Sequence, residues 1–432
     1  MTLFSYPPSV SARRGQAIFL AAILFLVVSF TLSLGVVVPV RNELLSSRAA
    51  LRGSESFFAG EGATQDVAYR VINALPVDAV ETLSFQGIVA TATTTATGGG
   101  RDITSAANRE SFVRTSRLSL KSGDGASFYY GVQAGAGGII LENSSSVVGN
   151  LYANGPIDGS GSNLIKGNAI SAGSSGLVDG VHATSSVYAH SVQNAEVDGD
   201  AYYQTISGTT VHGASHPGSA DQATSSLPIS DSQIAEWESD AAAGGTVSSP
   251  CPYTISANTT LGPKKIACDL AISGSPTVTL LGPVWVSGKI TIQNSAILKV
   301  DASLGSKSVA LIADNPSNQV TSSTITIQNS VSFQDSGTAG SYILLLAQNR
   351  SAEQGGDKKA IEIKNSVSGK FLAYAGHGEI LVQNSVSLKE VTAYRLRLQN
   401  SAQVVYETGL ANLLFTAGPS GGYELGKWQE VE

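Results

Sequence analysis

Carboxylates, imidazoles and thiols are the side chains that could do chemistry in this chain, and the sequence scatters them. Asp269, Asp301, Asp314 and Asp335 stand as singletons. Inverting glycoside hydrolysis needs two carboxyl groups about 6.5–9.5 Å apart on one face. His182, His190, His212, His216 and His377 show neither H-x-x-H nor H-E-x-x-H spacing. His182, His190 and His212 share one Gly- and Asn-rich segment and could gather around a metal, but solvated turn histidines are the plainer reading. Asp179, Asp198 and Asp200 lack the glycine–aspartate nonapeptide of calcium-binding repeats. The string GSGSN at 159–163 fails as a nucleophile elbow. GVQAGAGG at 131–138 has dinucleotide-loop glycines, but it lies between strands and opens no helix. No catalytic residue, metal set or cofactor is expected.

Two thiols remain, Cys251 and Cys268, close in sequence but without the CxxC spacing of a redox pair. A structural disulfide closing this short loop fits best, contributing about 3 kcal/mol in the chain-entropy account. It implies an oxidising compartment outside the cytoplasm.

A second spaced set is chemically quieter. Asn294, Asn329, Asn365, Asn384 and Asn400 recur in the context "apolar, Gln or Lys, Asn, Ser", at intervals of 35, 36, 19 and 16. A coil of about 18 residues makes these regular if each long interval holds two coils. The apolar runs SVALIAD (308–314) and YILLLAQ (342–348) sit near the two midpoints. The pattern predicts a parallel β-helix over 247–414. Ile292, Ile327, Ile363, Val382 and Leu398 would form one inward column, and the Asn residues a buried internal ladder that fixes register.

Elements must position these residues. Charged residues make up only 14% of the 432, and Gly, Ser, Thr and Asn replace them. This composition suits strands and turns, and a net charge of −7 excludes a nucleic-acid partner. Residues 76–140 read as strands. Over 141–229, G-N and G-D turns every six to ten residues predict a short solenoid. Ser230 and Gln233 open a capping box, so 230–246 reads as a helix and linker closing the open end of that solenoid. Residues 415–432, with Trp428, would be a closing strand or cap at the C-terminal end. The fold class is mainly β, with one long N-terminal helix followed by parallel solenoid regions.

That helix decides location. Ala17 to Val40 holds 24 residues without a charge, about 36 Å of helix against a hydrocarbon core of about 30 Å. Arg13 and Arg14 flank it, which places residues 1–15 in the cytoplasm and the chain beyond Arg41 outside. An amphipathic continuation runs to Pro76, giving one helix over 16–75.

RRGQAIFL followed by FFAGEGATQDVAYRV resembles the N-terminal region of PilX-type minor pilins, with Glu61 at the acidic position. The resemblance implies processing between Gly15 and Gln16. Leu20 stands where major pilins carry a Glu, so filament entry through that Glu is not available. GPVWVSGKITIQNSAILKV and FLAYAGHGEILVQNSVSL resemble the solenoid of large PilX-type assembly proteins, and the 141–229 turns resemble bactofilin-type repeats. The expected partners are the membrane, other pilin subunits or the pilus assembly machinery, and a surface polysaccharide. Three functions follow in order. The first is a pilin-like surface subunit whose solenoid is a spacer or adhesive shaft. The second is a carbohydrate-binding or carbohydrate-acting β-helix, favoured if Tyr374, Tyr394 and Tyr406 line an outward face. The third is a self-polymerising scaffold.

Overall fold

The computed structural model of the chain describes residues 12–72, 77–97, 100–126, 128, 130–407, 410, 413–414 and 420–431. They divide into two compact units, one of residues up to 69 with 77–120 and 426–431, the other of 70–72 and 121–425.

The first unit is built on helix α1 (Ala12–Ile72) and the antiparallel strands β1 (Val80–Phe85), β2 (Ile88–Thr97), β3 (Gly100–Arg109) and β4 (Phe112–Ala126). Gln86 and Gly87 both adopt positive φ, the two-residue turn that suits a tight hairpin from β1 to β2. The strand Ser420–Val431 also pairs with β4. The described part of the C-terminal segment is therefore a sheet strand, the first of the two forms expected for it. Tyr423, Trp428 and Val431 are aromatic or β-branched, types that favour an extended strand, and β4 offers an edge to pair with.

The second unit is a three-faced parallel stack. Its first rung in sequence is β5 (Val132–Glu142), from which the chain winds through Leu151–Ala153 and Ile157–Ser160 out to Ser215–Pro217. It then returns along the outside and re-enters at Thr246–Val247, winding back until Glu390–Gln399 pairs in parallel with β5. The two expected solenoids are thus one continuous stack, because the last coil of the second lies directly on the first coil of the first. On the face that includes β5, Ile272, Ile292, Ile327, Ile363, Val382, Leu398 and Leu141 stand in register, rung on rung. All are buried, and together with their counterparts they form the main core.

This register corrects the coil count. Ile292 pairs with Ile327 and Ile327 with Ile363, so each long interval is one coil and not two. The strands Val309–Ala313 and Ile343–Ala347 are the preceding side of those same coils, enlarged by loops. The Asn positions mark every coil from 294 to 400. They are also not buried as expected, since each lies at a corner just beyond the inward column. Each Asn and its following Ser adopt positive φ: 60° and 58° at Asn294 and Ser295, 63° and 62° at Asn365 and Ser366. Asn is the non-glycine residue that best tolerates this left-handed backbone.

The glycines dismissed as a phosphate loop have a structural task of the same kind. Where β5 bends around a corner, a side chain at Gly137 would meet Arg395 Cβ at 2.7 Å, and one at Gly138 would meet the Pro156 carbonyl at 2.3 Å.

Helix α2 (Asp231–Ala243) begins at Ser230, whose side chain and that of Gln233 form the reciprocal box read from the sequence. It does not close an end of the stack. Ile234 and Trp237 pack sideways with Ile312, Leu344, Leu346, Leu372 and Tyr374 on the outer surface of one face. That face is apolar on both sides, so the helix is held laterally where it covers the most apolar surface.

The corner backbone yields a stability test. Asn365→Ala should cost about 1–2 kcal/mol, the penalty of a Cβ in the left-handed region plus the lost side-chain bonds. Asn365→Gly keeps the backbone and should cost less. Denaturant melts of both variants check this, and equal losses would rule out the backbone as the reason for Asn.

Candidate functional site

Two assemblies of side chains position the residues that matter, one in each unit. In the first, α1 is a single helix of two characters. From Gln16 onward its apolar residues are exposed, Phe25 and Leu26 among them, and this stretch is long and apolar enough to cross a membrane. Further along, Gly53, Ser56, Ala59, Gly60, Ala63, Thr64 and Val67 are buried against the sheet. Small residues let the helix lie close to the strands. Their hydroxyls are all answered: Thr64 Oγ1 lies 2.8 Å from both Ser105 and Ser116, and Ser56 donates to the Phe112 carbonyl at 2.6 Å. Arg52–Glu110 (2.6 Å) and Arg109–Glu55 (3.3 Å) bracket the contact. Phe58, Leu83, Phe85 and Ile88 line an open groove of about 420 Å³ beside it.

The expected signature residues fall on this helix. Gly15 and Gln16 lie within α1, and Glu61 stands half-exposed on its flank. Residues 1–11 of the expected leader, and the expected helix end at Pro76, lie outside the described residues.

In the second unit, Cys251 and Cys268 form a disulfide with Cα atoms 6.0 Å apart, joining the first two coils at one end of the stack. The Asn side chains bond from coil to coil. Asn329 donates to Asn294 (3.3 Å), Asn365 to Asn329 (3.0 Å), Asn384 to Asn365 (2.9 Å) and Asn400 to Asn384 (3.2 Å). Asn143, which sequence spacing missed, continues the ladder by donating to Asn400 at 3.2 Å. Its signal was present, since E-N-S at 142–144 repeats the Asn–Ser corner with φ of 48° and 63°.

The singleton carboxylates remain apart, each with a local task. Asp269 accepts from the Lys289 backbone and Asp301 caps a short turn at Ser303. Asp314 differs, because Glu238 of α2 is buried against it. Burial, then the neighbouring Asp314 charge and hydrogen bond, push the Glu238 carboxyl up to about 8, and burial raises Asp314 too. The pair is covered by α2 and flanked by Trp285, whose Nε1 donates to the Asp314 carbonyl. Glu390, fully buried beside Thr392, is likewise raised well above the carboxylate range by burial. Glu379 instead meets three cations from the rungs on either side, with Lys359 and Arg395 at 2.6 Å and Arg397 at 3.7 Å.

Of the three tyrosines, Tyr374 is buried and donates to the Ile229 carbonyl, while Tyr406 donates to the Phe128 carbonyl at 2.8 Å. Tyr374 and Tyr406 therefore do not present the outward aromatic face required for carbohydrate binding, because segments laid over the sheet take their hydroxyls, and Tyr394 is half-exposed. Histidines settle beside carboxylates. His190 lies 3.1 Å from Asp221, His216 3.6 Å from Asp200, and His377 bridges Glu353 (2.8 Å) and Asp231 (2.9 Å). His182 and His212 share one patch with Glu196 and Asp198, and His190 is elsewhere.

No protein-family model matches the sequence, and no curated protein matches it. Among solved structures it is similar to the competence-associated pilin ComZ from Thermus thermophilus, with a TM-score of 0.32 and 10% identity over 88% of this chain and 97% of that one.

The buried carboxyl pair gives α2 a pH dependence. Folded Glu238 keeps its proton to about pH 8, whereas the unfolded group releases it near 4.5. Between those values the folded state binds more protons, so stability falls as pH rises. Glu238→Gln should flatten that slope and raise the melting temperature at pH 8 by several degrees relative to wild type, with little change at pH 4. Calorimetry at the two pH values decides it.

Proposed function

We propose that this chain is a pilin-like, non-enzymatic subunit of the cell envelope, with its solenoid acting as a structural spacer or adhesive shaft. The observation that carries the reading is α1 itself. One unbroken helix presents an apolar, exposed first half suited to lipid or to neighbouring apolar helices, then buries a small-residue face against an antiparallel sheet. A secretory signal or plain anchor has no need of the second half. The positive residues Arg13 and Arg14 orient the remainder outside the cytoplasm, where the Cys251–Cys268 disulfide is stable.

Partners on this reading are the membrane and other pilin-type subunits, which would meet the exposed apolar helix. A non-enzymatic role fits the side chains that could do chemistry: the paired carboxyls Glu238 and Asp314 are sealed under a helix. Spacing is the physical service of a parallel stack, since each added coil lengthens it while every inner backbone amide keeps a partner.

Mass spectrometry of the amino terminus of chain extracted from native membranes tests the pilin reading. A mature chain beginning at Gln16 is expected. An intact Met1 start would leave a simple anchored protein.

A further inference from the structure

We propose that His182, Glu196 and Asp198 form a binding site for one divalent transition-metal cation, zinc being the natural occupant, with His212 beside Glu196 on the next rung. The site belongs to the last three rungs of one face: His182–Ala183, Glu196–Val197 and Thr210–Val211. His182 stands in register with Glu196, and Ala183 with Val197. Asp198 lies two residues beyond Glu196 and so shares its outward side. His212 is placed by its own backbone bond to the Val197 carbonyl, 2.8 Å. The inward residues Ala183 and Val197 are fully buried, so the strands carrying these side chains are held by the core.

The spacing suits coordination. A tetrahedral zinc with bonds of about 2.0–2.1 Å places its ligand atoms about 3.3–3.4 Å apart. Here His182 Nε2 lies 3.3 Å from Asp198 Oδ1, which is the edge expected for two ligands of one ion, and Glu196 lies on the Nδ1 side of the same ring at 4.0 Å, so a bound ion would draw its carboxylate in. Ligand atoms from His182, Glu196 and Asp198 all fall within 4.8 Å of one another. An imidazole beside two carboxylates favours zinc or a similar ion over calcium or magnesium, which take oxygen alone. The other surface histidines of this segment differ: His190 has Asp221 and His216 has Asp200 within ion-pair distance. Among the described residues, His182, Glu196 and Asp198 are the group of three potential ligands whose donor atoms converge.

The position gives such an ion a purpose. The Cys251–Cys268 disulfide ties coils at one end of the stack, and this site ties two adjacent rungs near the other. A cation here would staple very short strands, where the stack has fewest neighbours.

The test uses the full-length chain in detergent micelles, stripped with a chelator and titrated with zinc chloride by calorimetry. One ion per chain is expected, with a rise in melting temperature. His182→Ala and, as a second variant, Asp198→Asn should each weaken binding at least about tenfold and abolish the thermal rise. His190→Ala should bind as wild type does. Cobalt substituted into the wild-type chain should give the intense visible bands of a four-coordinate site. No binding, binding unchanged in both variants whose circular dichroism shows them folded, or several weak ions per chain would overturn the proposal and leave these groups as ordinary ion pairs.

Discussion

One parallel pairing governs the larger unit: Val391–Leu398 on Val132–Leu141. It joins the last long strand of the stack to the first and converts two half-stacks into a single one. Without it, each half would expose a rung of unpaired amides and the end of its apolar column at mid-stack. The Asn ladder crosses the same junction through Asn143 and Asn400, and Arg397 reaches across it to Glu142 at 3.2 Å. Backbone, corner and charge therefore agree on one register, and a slip by one residue would turn Leu398 and Leu141 outward. The chain must begin in the middle of its own stack, which obliges residues 218–245 to travel back along the outside.

That return path explains the second feature of the unit. Strands in most coils alternate buried and half-exposed residues, as Ile290–Gln293 and Ile325–Gln328 do. Val309–Ala313 and Ile343–Ala347 are buried at every position. Their outer residues form a second core under α2, Ile229 and Phe128. Covering a face in this way brings polar groups of the helix onto apolar ground. Glu238 and Asp314 meet there by sharing a proton, which is less costly than two buried charges. Glu379, where no such pairing is possible, recruits three cations instead.

The repeating column and the membrane-length helix were legible in the sequence, because both are simple periodicities. Ile292 to Leu398 stack as their spacing implied. The coil count was misread because a long gap between Asn positions fits two short coils as well as one coil with loops. Composition could have separated them: VALIA and ILLLA are apolar at consecutive positions, which marks a strand covered on both faces rather than an extra rung. The capping box located α2 correctly, yet a cap specifies only where a helix starts and not what its apolar side will meet. Asn143 escaped because its neighbour in space, Asn400, is remote from it in sequence. The sequence groups His182 and His212 with His190, and Asp198 with Asp179 and Asp200; Glu196, which stands between His182 and His212 in space, escaped because neighbours one rung apart are separated in sequence by a whole coil.

How the two ends are finished bears on whether such a stack polymerises. A terminal parallel strand offers free amides as a template for another chain. At one end the last strand of its face, Ser215–Pro217, pairs with Ala201–Tyr203 and includes a proline, which has no N–H to offer a newcomer. Strands near that end, such as Thr210–Val211 and Thr205–Ser207, are too short to hold a partner by backbone bonds alone. At the other end the disulfide crosses the first coils beside Pro250 and Pro252, fixing a loop where an incoming rung would have to lie. These devices shield the edges that a self-polymerising scaffold would need to leave open. They favour a stack of fixed length, held by its own chain, over one extended by copies of itself.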